Sequence, residues 1–345
     1  MTTFAIIGAG ISGLAAARVL QDAGQDVTLF EKNRAVGGRA ATRKHRGFIY
    51  DHGAQYIKPE HAITSTWISE RFTSPDLVDI AKPVWTFHQM GQIQAGDPKQ
   101  NAGPKWSYRY GLVTLPKLIA EELTVQAETL VTRLVQTQAG WEVYGEKDTL
   151  LGTYQQVLIT LPLPLASELL KNSTLDTDLK EQAISQLKQG SYRPLLSVTL
   201  GYRFPLRKRP YYALVNIDKK HPISWLAWEH EKSPRRIPPK TGMLIAQMAP
   251  GYSRDHWETP AEEVFSDVGQ QIAGLLEEKF SEPVFTNLQR WRYALPDQKV
   301  DASELNDLTR PAGLTFCGDG FVGGRVSLAL EHGIAVAQEL LASPR

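Results

Sequence analysis

The sequence is short of most features that would mark a specialised setting. Cys317 is its single cysteine among 345 residues, which excludes an internal disulfide and fits a reducing compartment. Neither charge dominates: 38 basic against 37 acidic side chains leave a formal +1, without the basic excess or stripe of a nucleic-acid binder. No apolar run approaches the roughly 18 residues of a membrane span. Met1-Thr2-Thr3 leads directly into an apolar strand with no basic segment, so no signal peptide is expected. The eight histidines show no H-x-x-x-H or H-E-x-x-H spacing, and with one cysteine no metal site is expected. No G-x-S-x-G elbow or nucleophilic Cys–His arrangement is present. The apolar share of 42% is too high for a disordered chain. These absences leave a cytoplasmic globular protein whose length suits two domains.

Aromatic side chains are plentiful: eight Trp, twelve Tyr and eleven Phe. Most are expected in cores, while a minority can stack on a planar ligand.

The first thirty residues carry the strongest local signal. Phe4-Ala5-Ile6-Ile7 reads as a buried parallel strand, Leu14 to Leu20 as a helix, and Asp26-Val27-Thr28-Leu29-Phe30 as a second strand. Between the first strand and the helix lies Gly8-Ala9-Gly10-Ile11-Ser12-Gly13, a G-x-G-x-x-G turn in its proper βαβ setting. Gly8 permits the tight turn, Gly10 lets a pyrophosphate approach the backbone, and Gly13 lets helix pack on strand. The free N–H groups of Ile11, Ser12 and Gly13 and the helix dipole then favour phosphate. Glu31, with Lys32 beside it, ends the second strand eighteen residues beyond Gly13. Its carboxylate accepts from both ribose hydroxyls and would repel a 2′-phosphate, which excludes NADP as the tightly held nucleotide.

Three further segments point to FAD rather than NAD. Val36-Gly37-Gly38-Arg39-Ala40-Ala41-Thr42 supplies a second glycine pair and an arginine, which a plain NAD domain does not need. With it the chain resembles the FAD-dependent amine oxidase superfamily, in which G-G-R-x-x-[ST] follows the ribose-binding acid. Asp51-His52-Gly53-Ala54-Gln55-Tyr56 resembles that superfamily's D-x-G-A-x-[YW] segment, which passes beside the flavin. Near the C-terminus, a strand ends at Gly318-Asp319, and Arg325 and Val326 open a helix running to about Leu341. The resemblance implies that Asp319 contacts the ribityl or pyrophosphate region, that the Val326 N–H faces flavin O2, and that the Val131 backbone contacts adenine. It also implies an α/β fold with an α+β second domain: a Rossmann-type FAD-binding domain with an interleaved substrate domain, of p-hydroxybenzoate hydroxylase/amine oxidase-like architecture. The FAD-binding domain is expected at 1–80, 126–164 and 288–345, and the substrate domain at 81–125 and 165–287. Helices are expected at 116–123, 176–189 and 259–278, the last capped by Thr259, and surface loops at 89–104 and 231–240.

Within that superfamily the chain is most similar to the renalase-like flavoproteins, through D-H-G-A-Q-Y-I at 51–57, T-L-P-L-P at 160–164, Q-R-W-R-Y-A at 289–294 and C-G-D-G-F at 317–321. It departs from them at Ala246-Gln247-Met248, where such chains often carry histidine. The resemblance implies oxidation of 2- or 6-dihydroNAD(P) isomers to NAD(P)+ by hydride transfer to flavin N5, with O2 reduced to H2O2. Implied pocket residues are Gln55, Tyr56, Trp291 and Arg292, with Trp225 and Trp228 expected on one face of their strand. Of the basic run Arg34, Arg39, Arg43, Lys44 and Arg46, only Arg39 is expected at the cofactor, the rest being solvated. The alternatives are an amine oxidase or desaturase of the same superfamily, for which Lys299 is the candidate lysine, and a flavin-binding sensor or scaffold.

Overall fold

The computed structural model describes residues 1–342. A five-stranded parallel sheet has the order Leu314–Phe316, Gln156–Ile159, Thr3–Ile7, Asp26–Phe30, Thr124–Gln126. The apolar run at residues 4–7 is its middle strand, paired in parallel on both sides. Such a strand is covered on both faces and so shows no alternation. Helices Ile11–Asp22 and Val326–Ala342 cover one face. Gly333 brings them together: a Cβ there would lie 2.2 Å from the Ser12 carbonyl oxygen. The meander Val131–Thr137, Gly140–Gly145, Leu150–Tyr154 packs on the opposite face, with Trp141 beside Phe30 and Phe316 in that core.

The second domain is built on a seven-stranded sheet ordered Phe285–Gln298, Ser191–Tyr202, Gly242–Met248, Ile223–Trp228, Ala213–Asn216, Val84–Phe87, Ile93–Gln94. Helix Ala261–Leu276 buries Val264, Val268 and Ile272 against one face. The hairpin Thr42–His45/Phe48–Asp51 of the first domain lies over Met243 and Ile245, on the other. No helix among the described residues is long and apolar enough to cross a membrane.

Several boundaries shift from the expected ones. Strand Phe285–Gln298 belongs to the second sheet along its whole length, so the chain re-enters the first domain near 299 rather than 288. Helices Leu163–Lys171 and Thr177–Leu187 pack in the first domain's core, so the chain leaves it near 190 rather than 165. Tyr108, Leu112, Leu115 and Ile119 also pack there. The physical reason is common to all three: an amphipathic pattern identifies an element but not which of two cores receives its apolar face. Thr259 does not cap the long helix, because Pro260 takes the N-cap position and no side chain caps it.

Candidate active site at the domain interface

The glycine turn has distinct work at each position. Gly8 adopts φ +107°, and a Cβ at Gly13 would lie 2.2 Å from the Gly8 carbonyl oxygen, so helix and strand touch only without a side chain. Gly10 differs: it is the N-cap of helix Ile11–Asp22, no side chain caps that helix, and a Cβ at Gly10 would meet nothing within 4 Å. The unpartnered N–H groups of Ile11, Ser12 and Gly13 therefore face open ground, where a pyrophosphate is favoured. Glu31 is 5% exposed. It accepts from the Ala9 N–H at 3.1 Å and from the Asn33 N–H and Nδ2–H at 2.9 and 2.7 Å. No cation pairs with it among the described residues, which leaves its remaining lone pairs for ribose hydroxyls. Lys32 is exposed. Residues 126–131 return beside Glu31, whose N–H donates to the Gln126 carbonyl at 2.9 Å, and Val131 is buried there. Glu31→Ala is expected to weaken FAD retention by about 1.5–3 kcal/mol, the worth of hydrogen bonds to a charged acceptor. Flavin content after extensive dialysis checks this, and a parent-like value refutes it.

The second and third motifs meet directly. Arg39 makes a bidentate pair with Asp319, at 2.6 and 2.7 Å, and also donates to the Tyr293 and Ala294 carbonyls. Tyr192 donates to the same carboxylate at 3.1 Å. Burial would lower the Arg39 pKa, but Asp319 outweighs it and the net shift is upward. Arg39 thus spends its charge on Asp319, and the helix N-termini remain to meet the phosphates. Gly37 and Gly38 take φ +110° and +55°, and Gly37 forms a bridge with Gly10. After Gly318 at φ +140°, helix Val326–Ala342 starts with the Arg325 carbonyl accepting from the Ala329 N–H at 3.0 Å. Its first N–H groups, Val326 included, have no intrahelical partner. Arg325 itself is exposed and pairs with Glu60. An open glycine floor, a buried ribose acceptor and helix N-terminal donors together fit a dinucleotide carrying a pyrophosphate.

The segment at 51–57 joins both domains. A Cβ at Gly53 would lie 2.1 Å from the Arg39 carbonyl oxygen, and the Ala54 N–H donates to that oxygen at 3.0 Å. Gln247, from the second sheet, donates to the Gly53 carbonyl at 2.7 Å. Trp291 donates from Nε1 to the His52 carbonyl at 2.8 Å and stacks on the His52 ring at 5.4 Å. Burial and Arg43 push His52 down to about 4, so its imidazole is neutral at physiological pH. Tyr56 meets Tyr212 at 6.3 Å and Trp225 at 6.0 Å.

Three expected pocket residues lie elsewhere. Gln55 is buried, donating to the Asp51 and Gly53 carbonyls and accepting from Lys232 Nζ at 3.0 Å; it supports the segment from behind. Trp228 packs on Tyr211 in the core under helix Ala261–Leu276. Strand alternation puts residues three apart on opposite faces, so Trp225 and Trp228 cannot share one. By the same rule Arg292, next to Trp291, faces the other way and lies over the Trp257 ring at 5.4 Å. Lys299 is exposed.

A buried charge cluster stands behind the segment. Asp51, Glu229, Lys232 and Arg236 all have fully buried side chains. Arg236 lies 2.9 Å from Asp51 and 2.5 Å from Glu229; Lys232 lies 3.5 and 2.9 Å from them. Burial pushes the Asp51 carboxyl up, yet Arg236 and Lys232 hold it below the usual carboxylate range. The tract at 231–240, expected as a surface loop, therefore sends two cations inward. Its sequence gives no hydrophobic signal for this; only the opposed charges at Glu229 and Lys232 hint at pairing.

Residues 6–67 match the family pattern of the NAD(P)-binding Rossmann-like domain. Residues 80–341, most of the chain, match that of the flavin containing amine oxidoreductases. An L-amino-acid oxidase of Siganus canaliculatus is 48% identical over 60 residues, 17% of this chain and 11% of that one. A 4,4'-diapophytoene desaturase (4,4'-diaponeurosporene-forming) of Staphylococcus haemolyticus (strain JCSC1435) is 53% identical over 53 residues, 15% of this chain and 11% of that one. The chain thus spans 11% of the length of these curated relatives. A solved structure of putrescine oxidase bound to putrescine superposes with a TM-score of 0.77 over 99% of both chains, at 16% identity, a likeness of fold alone. With that pattern covering most of the chain and the dinucleotide cradle in place ahead of it, the chain belongs to the flavin-containing amine oxidoreductases.

Proposed function

We propose that the protein oxidises dihydronicotinamide dinucleotides reduced at ring position 2 or 6 to NAD(P)+, with O2 as final acceptor. The observation that carries this reading is the aromatic cluster of Tyr56, Tyr212 and Trp225 at the end of the 51–57 segment. Its rings are flat, and two of its buried donors, Tyr212 Oη and Trp225 Nε1, have no acceptor. A planar ring bearing a carboxamide supplies a face to stack on and a carbonyl to accept, matching both needs.

Bound FAD supplies the two-electron acceptor and the route to O2. The dihydropyridine gives up a hydride and becomes aromatic, so no protein base has to take a proton from it. The overall balance is dihydronicotinamide plus O2 plus H+ giving nicotinamide cation plus H2O2. The side chains near the segment suit such a reaction: His52 is held neutral, and Asp51 and Glu229 are committed to Arg236 and Lys232. The protein's part is stacking, orientation and exclusion of water.

Anaerobic mixing with 6-dihydroNAD is expected to bleach the flavin rapidly, whereas ordinary NADH and primary amines do not. Tyr212→Phe is expected to raise KM for 6-dihydroNAD about three- to tenfold, the worth of one hydrogen bond. Fast bleaching by putrescine or an L-amino acid alone replaces this reading with amine oxidation. Slow bleaching by every reductant points instead to a flavin-binding sensor.

A further inference from the structure

We infer that a cationic cleft beside the flavin-facing segment receives the phosphates of the dinucleotide substrate. The cleft, of about 580 Å3, opens between Arg34, the hairpin strand Thr42–His45, Tyr50 and the start of the edge strand at 285–287. Its lining includes Arg34, Arg43, Lys44 and His45 and no acidic residue. Among the described residues no carboxylate pairs with Arg34, Arg43 or Lys44: Arg43 donates to the Gln289 Oε1 at 3.0 Å, and Lys44 Nζ lies 5.4 Å over the Tyr110 ring. In a chain of formal charge +1, this is a strong local excess. Arginine forks and a lysine around a concave surface are the donors that bind phosphate, and they attract it from a distance. The His45 ring stacks on Phe285 at 4.6 Å and 15°, which gives the cleft a flat wall as well as charge. Asn287 has a buried side-chain oxygen without a donor, available to a ribose hydroxyl.

Position supports the assignment as much as charge does. Asn287, Gln289 and Trp291 fall on one face of strand Phe285–Gln298, and at about 3.4 Å per residue they cover about 14 Å. Trp291 lies 3.5 Å from where a Cβ on Gly53 would stand. The line is reinforced by Tyr50, 6.3 Å from the His52 ring, and by His52, 5.4 Å from Trp291. One end of this row is the basic cleft and the other is the flavin-facing segment. A dinucleotide spans that distance with its phosphates at one end and its nicotinamide at the other; a diamine or an amino acid does not. The inference rests on the dinucleotide reading above, and the experiment separates the two.

The test uses the FAD-loaded enzyme and the variant Arg34→Gln/Arg43→Gln/Lys44→Gln. Its substrates are 6-dihydroNAD and 6-dihydro-1-methylnicotinamide, which has the same ring without phosphates. The variant is expected to raise KM for 6-dihydroNAD about tenfold or more, with kcat within about twofold, and to lose most of the salt dependence of that KM. KM for the phosphate-free analogue and the flavin content are expected to stay unchanged. An unchanged KM for 6-dihydroNAD overturns the cleft assignment, as does loss of flavin, which would give the cleft to the cofactor. Calorimetry with ADP provides a readout independent of turnover: binding to the parent and its loss in the variant support the site, and no binding to the parent overturns it. If neither dihydronicotinamide bleaches the flavin, the proposed reaction falls while the ADP titration still decides the cleft.

Discussion

Arg236→Met is expected to destabilise the protein by about 3–5 kcal/mol, the cost of leaving buried carboxylates short of a cation. Methionine matches the length of the arginine stem but carries neither charge nor donors. Arg236 has a fully buried side chain and binds Asp51 and Glu229 through Nη1 and Ser107 Oγ and the Tyr108 carbonyl through Nη2, the last two at 2.8 Å. Its removal leaves two carboxylates to the single ammonium of Lys232 in a medium that solvates neither. The double variant Arg236→Met/Glu229→Gln restores one acid to one base and is expected to recover most of the loss. Urea unfolding of parent, single and double variants measures this; a parent-like midpoint for the single variant refutes the buried pairing. The contribution of Asp51 to the pH dependence has a definite sign. In the parent, Arg236 and Lys232 hold Asp51 low against the upward push of burial. Its stabilising contribution is therefore full at neutral pH and lost as pH falls through the depressed value. Without Arg236 the burial effect prevails and acid relieves the unpaired charge, so the gap between parent and variant narrows as pH falls.

Gly13→Ala and Gly10→Ala are expected to fail in opposite ways, although both alter the same turn. At Gly13 the new methyl would stand 2.2 Å from the Gly8 carbonyl oxygen. That contact is with backbone and cannot be relieved by a side-chain rotation, so helix Ile11–Asp22 must shift off its strand at about 1–3 kcal/mol. Apoprotein stability falls, and flavin binding falls with it. At Gly10 the backbone is at φ −73°, which alanine adopts freely, and its methyl meets nothing within 4 Å. The apoprotein is expected to unfold at the parent's midpoint. The methyl instead stands on the ground the pyrophosphate must cross, displacing it from the helix N-terminus. Loss of one or two charge-assisted hydrogen bonds, at about 1.5–3 kcal/mol each, weakens FAD affinity at least tenfold. Apoprotein melting together with FAD titration separates the two, and equal flavin affinity in Gly10→Ala and parent would exclude the cradle.

Much of the site was legible because its rules act on contiguous residues. Gly8, Gly13, Gly37 and Gly318 are glycines for local reasons, a positive φ or a backbone approach, and Glu31 ends its strand at a fixed spacing from the turn. The pairing of Arg39 with Asp319 was not legible, since the two are 280 residues apart. Trp228 and Arg292 are instructive in another way. The alternation of a strand already places Trp228 opposite Trp225 and Arg292 opposite Trp291, so their departure from the pocket follows from parity alone.

The βαβ dinucleotide domain could be read from the sequence, because φ sign, helix N-terminal donors and strand period need only neighbours along the chain; FAD as its occupant, and residues 51–57 as the segment beside the flavin, came from the resemblance to the amine oxidase superfamily. The tertiary structure alone decided that Lys232 and Arg236 lie inside, that Gln55 supports rather than lines the site, and that Arg34 and Lys44 share a cleft with Phe285. Hydropathy assigns every charged side chain to the surface. Asp51, 181 and 185 residues before Lys232 and Arg236, escapes that rule only because docking of the second sheet brings these counter-charges to it. The cleft is the converse case: its cations stay solvated because docking brings no carboxylate to them.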